Sequence, residues 1–278
     1  MSDLEFALRV ARLTDRGLLR SRNEDAIASD ASIGFALLAD GMGGYNAGDV
    51  ASQMAALSIT AECTTQFNQA RQANQPVTTH MASRWMADAV AAANSAILEV
   101  SNTQAQCAGM GTTLVVTMFV DNQVVIGHIG DSRAYVLRNA QLSQLTNDHS
   151  LLQEQIDAGL LTTEQAKYAT YKNFVTKALG VDPVADLEIN THTVQVGDLY
   201  LLCSDGLTDM VEDHEIESIL IEHNDDLEAI VHLLIRKANQ RGGKDNISVI
   251  LISVIDDYSL NKANWLQSLY KKVTHNKG

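Results

Sequence analysis

The chain has 278 residues of ordinary globular composition, enough for one large domain with a sizeable core. Twenty basic residues against 34 acidic ones leave a formal net charge of −14, which argues against a nucleic-acid partner, because a phosphate backbone calls for a basic stripe. Cys63, Cys107 and Cys203 are odd in number, far apart and set among apolar or small residues, a pattern of reduced core thiols and not of a cysteine zinc site.

Residues 6–14 alternate well enough for a strand, 20–25 form a polar loop, and 33–39 form a near-continuous apolar strand. Two amphipathic helices are predicted over 49–67 and 81–100, separated by the break Asn74-Gln75-Pro76. Residues 112–145 turn strongly β, with runs at 114–120, 124–129 and 134–137 that read as a meander. Residues 151–158 look helical and stop at Gly159, and Thr162-Thr163-Glu164-Gln165 has capping-box spacing. Strands return at 187–194 and 199–204, helices follow at 213–222 and 227–240, and 247–254 is a last strand. Helices segregated from mostly antiparallel strands indicate an α+β sandwich with the sheets inside. Only Pro76 and Pro183 occur and no Ser/Gly/Pro-rich linker divides the chain, so one domain is expected.

Two of the apolar runs end in Asp-Gly, at Asp40-Gly41 and Asp205-Gly206; a third ends in Gly130-Asp131, and Asp245 stands just before the last strand. A run of this kind suits a strand covered on both faces, so each aspartate emerges at the rim of a core, where an unpaired carboxylate is costly. Asp-Gly is also the commonest tight-turn dipeptide. Four such carboxylates together, with no Lys or Arg directly beside Asp40 or Asp205, favour a cluster that holds metal ions. If strand ends and a strand start share that rim, the sheet carrying them is at least partly antiparallel.

The runs Arg20-Ser21-Arg22-Asn23-Glu24-Asp25, Ala39-Asp40-Gly41-Met42-Gly43-Gly44, Gly109-Met110-Gly111-Thr112-Thr113, Gly130-Asp131-Ser132-Arg133-Ala134, Cys203-Ser204-Asp205-Gly206-Leu207-Thr208-Asp209 and Gly243-Lys244-Asp245-Asn246-Ile247-Ser248 resemble the successive motifs of the protein phosphatase 2C family, the metal-dependent Ser/Thr phosphatases, in its bacterial branch. The resemblance covers residues 12–253. It implies a four-layer α-β-β-α sandwich with two mainly antiparallel sheets, a metal centre in a cleft at their edge, and a small helical flap at about 147–182. By the same resemblance Asp40 bridges two ions, the Gly41 carbonyl binds one of them, and Asp205 and Asp245 complete the first site. Asp131, with Asp205, matches a third, weaker metal position. Glu24 and Asp25 match residues that hold metal-bound water, and Arg20 matches the arginine that grips the substrate phosphate.

An all-oxygen donor set selects a hard cation, Mn²⁺ or Mg²⁺. Two such ions about 3.5–4 Å apart activate a water for in-line attack on phosphorus. The implied activity is hydrolysis of phosphoserine and phosphothreonine in proteins, opposing a bacterial Ser/Thr kinase. A binding module without chemistry, or an enzyme for small phosphate esters, are the competing readings. Met42 stands where many eukaryotic members carry a histidine proposed as general acid, and methionine cannot donate a proton. The acid is therefore left to a metal-bound water or another group, unless the leaving group needs none. Arg22 and Arg133 are expected to pair with nearby carboxylates, His128 to be a buried histidine, and His149 carries no assignment. Residues 167–172 lack the His-Pro that many bacterial members carry in the flap.

The expected division is a catalytic domain over 1–255 and a basic tail over 256–278. In the tail Trp265, Leu266, Leu269, Tyr270 and Val273 form an apolar stripe suited to a short helix packed on the domain, with contact to a partner or an anionic membrane as the alternative. The N-terminus carries acidic residues where a secretory signal would carry basic ones, and no stretch reaches membrane-span length, so a cytoplasmic protein is expected; the family resemblance implies a monomer.

Overall fold

A computed structural model of the chain describes residues 4–43, 47–166, 174–223 and 226–260. One antiparallel sheet has the order β2 (Asp25–Asp30), β3 (Phe35–Met42), β5 (Leu114–Val120), β6 (Gln123–Ile129) and β9 (Glu188–Thr193), with β4 (Gly111–Thr112) paired to the end of β3. The other has the order β1 (Leu8–Asp15), β11 (Ile247–Val254), β10 (Leu199–Cys203), β7 (Arg133–Arg138) and β8 (Gln141–Gln144). Helices α1 (Gly48–Gln72) and α2 (Thr79–Thr103) pack on the first sheet. Helices α6 (Asp213–Glu222) and α7 (Leu227–Gln240) sit with the second. The short α3 (Leu151–Asp157) and α4 (Thr163–Ala166) belong to the excursion between β8 and β9, and α5 (Asp205–Thr208) follows β10.

The near-continuous apolar strands have a physical reason. Along β10, Tyr200 and Leu202 join the core between the sheets, while Leu199, Leu201 and Cys203 join the core beneath α6 and α7. Along β11, Ile250, Ile252 and Val254 take the first side and Ile247, Val249 and Leu251 the second. Period-two alternation thus persists, but both faces are dry. Helix α7 places Ile230, Val231, Leu234, Ile235 and Ala238 on one buried stripe at spacings of one, three and four, as a helix lying on a sheet requires. Cys63, Cys107 and Cys203 are buried free thiols. Among the described residues no helix is long and apolar enough to cross a membrane.

Two sequence expectations are corrected. The polar loop expected over 20–25 ends before Asp25, which opens a strand, β2, not expected from the sequence; at the edge of its sheet β2 needs only the weak Ala-Ile-Ala pattern. Residues 112–145 are not a meander. β5 and β6 form a hairpin, but β6 pairs next with β9, and β7 pairs with β10 and β8 in the other sheet. Gly130-Asp131-Ser132 is therefore a crossing between sheets. Capping at Thr162 is as expected: Thr162 N–H donates to Gln165 Oε1 (2.9 Å), and Gln165 N–H donates to Thr162 Oγ1 (3.2 Å). Gly44, residues 167–172 and the tail beyond Leu260 lie outside the described residues.

Candidate metal centre

Antiparallel pairing brings the expected ligands to one rim. Cys203 is opposite Val249, and Ser204 N–H donates to Ser248 O (3.2 Å), so Asp205 after β10 faces the start of β11, where Asp245 stands. Across the first sheet Asp25 is the register partner of Asp40. Asp40 is fixed by the chain entering β5: Thr113 N–H donates to Asp40 O (2.8 Å), Asp40 N–H to Thr113 Oγ1 (3.1 Å), and Thr112 Oγ1 to Asp40 O (2.9 Å). Asp131 follows β6, whose end lies opposite Leu114 at the start of β5. Strand ends and strand starts thus meet at one edge of both sheets.

The charges there oppose one another. Burial, followed by repulsion from Asp25, Asp205, Asp131 and Asp245, holds the Asp40 carboxyl well above the usual carboxylate range. Asp205 is raised likewise by burial and then by Asp131, Asp209, Asp245 and Asp25. Burial pushes Asp25 up to about 6 against the hydrogen bonds that it accepts from Ser248 and Ser204, and burial with repulsion from Asp148 pushes Asp131 up to about 6. Glu24 is raised by burial and by Asp49. The Oδ1 atoms of Asp25 and Asp205 are buried without a hydrogen-bond partner. Partnerless buried oxygens and mutually repelling carboxylates fit divalent cations, and the oxygen-only donor set fits Mn²⁺ or Mg²⁺. Space is equally restrictive: a Cβ on Gly41 would lie 2.1 Å from Gly48 O and 2.6 Å from Glu24 O, so only glycine lets β3, α1 and the Glu24 loop close together here.

Arg20 is exposed and lies at the edge of the cluster, with Nη2 donating to Asp245 Oδ2 at 2.6 Å rather than to Glu24. Arg22 faces Asp49 (3.8 Å). Arg133 grips Asp148 through Nε and Nη2 and donates to the Tyr135 hydroxyl (2.9 Å). Both Arg22 and Arg133 pair with carboxylates, as expected. His128 is buried and its Nε2–H donates to Asn147 O (2.9 Å).

Four supporting residues went unassigned in the sequence. Asn246 accepts Glu24 N–H on Oδ1 (2.8 Å) and donates from Nδ2 to Arg16 O (2.9 Å) and Arg22 O (2.8 Å), clamping the loop that carries Arg20 and Glu24. Ser248 and Ser204 donate to Asp25 Oδ2 (2.6 and 3.0 Å) and so tie a carboxylate of one sheet to two strands of the other. Ser204 sits between an apolar run and Asp205, and Ser248 lies inside the last apolar run, where nothing in the sequence points to Asp25. Asp209 joins Asp131 and Asp205 in lining a cavity of about 300 Å³, with Asp213, and with Leu152 and Ile156 of α3 among its other walls. Its signal was the four-residue spacing from Asp205, one helical turn.

The sequence pattern described as "Protein phosphatase 2C" matches residues 20–251. The chain is 38% identical over 242 residues to the serine/threonine phosphatase stp of Listeria monocytogenes, covering 86% of this chain and 93% of that protein. The crystal structure of the Mycobacterium tuberculosis serine/threonine phosphatase PstP/Ppp superposes with a TM-score of 0.81 at 35% identity, over 90% of this chain and 100% of that one. The catalytic domain of PstP in complex with two manganese ions superposes at 0.77 with 36% identity, over 90% of this chain and 99% of that one. With its motifs in order, its four layers and its rim of carboxylates, the chain belongs to the protein phosphatase 2C family.

Proposed function

We propose that the chain is a metal-dependent protein serine/threonine phosphatase, with Asp40, the Gly41 carbonyl, Asp205 and Asp245 holding two divalent ions and Asp131, with Asp205, serving a weaker third position. The observation that carries this reading is the convergence of carboxylates whose mutual repulsion persists despite Arg20 at the edge and Arg133 beside Asp131. When bound, Mn²⁺ or Mg²⁺ supplies an ionised water and neutralises charge on the phosphate. The chain supplies the rest. Thr112 and Thr113 fix Asp40, Ser204 and Ser248 fix Asp25, and Asn246 holds the loop from which Glu24 and Arg20 reach the site. Arg20, exposed and permanently charged, offers a planar fork for two phosphate oxygens and orients the ester for displacement. Met42 supplies no proton, so the leaving oxygen is not protonated from that position.

We infer further that the substrates are phosphorylated proteins, that the enzyme reverses a Ser/Thr kinase in cytoplasmic signalling, and that it acts as a monomer whose catalytic domain spans 1–255, with a tail at 256–278 that makes no membrane contact. The names of the relatives support the first inference; buried free thiols agree with a reducing compartment. The deciding experiment is Mn²⁺-dependent hydrolysis of a phosphothreonine peptide by the wild type, Asp40→Asn and Asp205→Asn. Loss of at least about 10²-fold in kcat is expected in both variants, as for removal of a group that stabilises transition-state charge. Undiminished turnover in either would overturn the reading.

A further inference from the structure

Beyond the carboxylate rim, His128, His149 and Glu188 bring ligand atoms within 4.8 Å of one another. The trio is a poor ion site. The imidazoles are stacked, with centroids 4.7 Å apart and planes at 10°, so their in-plane lone pairs run side by side and do not meet at one point. The ring nitrogens also have other tasks. His128 Nε2–H donates to Asn147 O, His149 Nδ1 accepts Gly130 N–H (3.2 Å), and His149 Nε2 faces Glu188 Oε2 at 3.5 Å. A ring whose Nδ1 accepts must carry its proton on Nε2, which defines the His149 tautomer.

The Gly130 peptide is held from both sides by the same residue, because Gly130 O also accepts His149 N–H (2.9 Å). His149 O in turn accepts Thr176 N–H (2.8 Å), so both arms of the excursion between β8 and β9 close on it. His128, near the end of its strand and two residues before Gly130, is the surface against which the His149 ring lies flat. Ser132, on the far side of Asp131, pairs with Thr113 through their hydroxyls (2.7 Å). Asp131 is thereby pinned at both flanking positions, in the stretch where the chain crosses from one sheet to the other.

We propose that His149 is a positioning residue that clamps the Gly130 peptide through ring and main chain and so aims the adjoining Asp131 carboxylate toward Asp205. The proposal rests on reading Asp131 as a metal ligand. It distinguishes two replacements that packing alone would treat alike: asparagine places an oxygen near the Nδ1 position and keeps an acceptor for Gly130 N–H, whereas glutamine places its polar atoms near Nε2.

The test combines calorimetric Mn²⁺ titration of the wild type, H149N, H149Q and D131N with ¹⁵N correlation spectra of the His149 ring and the Gly130 amide. In the wild type the ring is expected as the Nε2–H tautomer. H149Q and D131N are expected to weaken the weakest Mn²⁺ step by about 10-fold or more, the usual loss when a group behind a ligand is removed, while H149N retains it. An Nδ1–H ring, or H149Q titrating like the wild type while D131N is impaired, would overturn the proposal. Equal impairment of H149N and H149Q would overturn it as well, by reducing His149 to packing. Unchanged uptake in D131N would instead remove Asp131 from the ligand set, a separate failure. The ring tautomer is read on the unaltered chain and needs no variant to fold.

Discussion

Asp131 illustrates how a single carboxyl links acidity to folding. Its pKa lies at about 6, above the unfolded value of about 3.9, because burial and Asp148 disfavour the charge. Between those two values the folded chain keeps a proton that the unfolded chain has lost. The stabilising share of that proton is complete below about pH 4 and disappears as the pH rises through about 6. In chelator, Asp131→Asn, which has no charge to repel, is expected to match the parent near pH 4 and to melt at higher temperature than it by pH 7. Saturating Mn²⁺ should reverse that order. Thermal melts across this range check the prediction, and an offset independent of pH would refute it. The gathering of Asp40, Asp131, Asp205 and Asp245 at one rim was legible because each borders an apolar run. Asn246, Ser204 and Ser248 were not, since their tasks are set by distant partners; Ser248 and Asp25 are 223 positions apart.

At the scale of elements, α5 and β11 touch through backbone. A Cβ on Gly206 would lie 1.9 Å from Asn246 O, and Asp205 is the first residue of that short helix. Gly206→Ala is expected to lift α5 from the start of β11, costing about 1–3 kcal/mol as overpacking does and separating Asp205 from Asp245. Urea denaturation and Mn²⁺ affinity should both fall short of the parent; normal affinity with lowered stability would mean that the ligand spacing had survived. Long elements were readable because periodicity is local: the helices at 48–72, 79–103, 213–222 and 227–240 each carry their own stripe. Edge strand β2 and the crossing after β6 were not. The strand lacks pattern because an edge demands little, and the crossing is indistinguishable from a hairpin turn until the whole sheet order is known.

Across the whole molecule, two cores lie on either side of the β1-β11-β10-β7-β8 sheet, and the proposed ligand set draws on both sheets: Asp40 and Asp131 from the ends of β3 and β6, Asp205 and Asp245 from beside β10 and β11. Ions held there bind only the assembled chain. At a hundredfold excess over Kd they would add about 2.7 kcal/mol, raising the melting temperature by several degrees. Asp245→Asn should forfeit most of that gain, and a melting temperature indifferent to Mn²⁺ in the wild type would show that the two sheets are not bridged. Because the chain passes from one sheet to the other at Gly130-Asp131-Ser132, the proposed metal centre also lies at the seam of the sandwich. With ions held there by both sheets, a fluctuation that prises the β layers apart would release them, and such a copy would lose catalysis instead of misdirecting it.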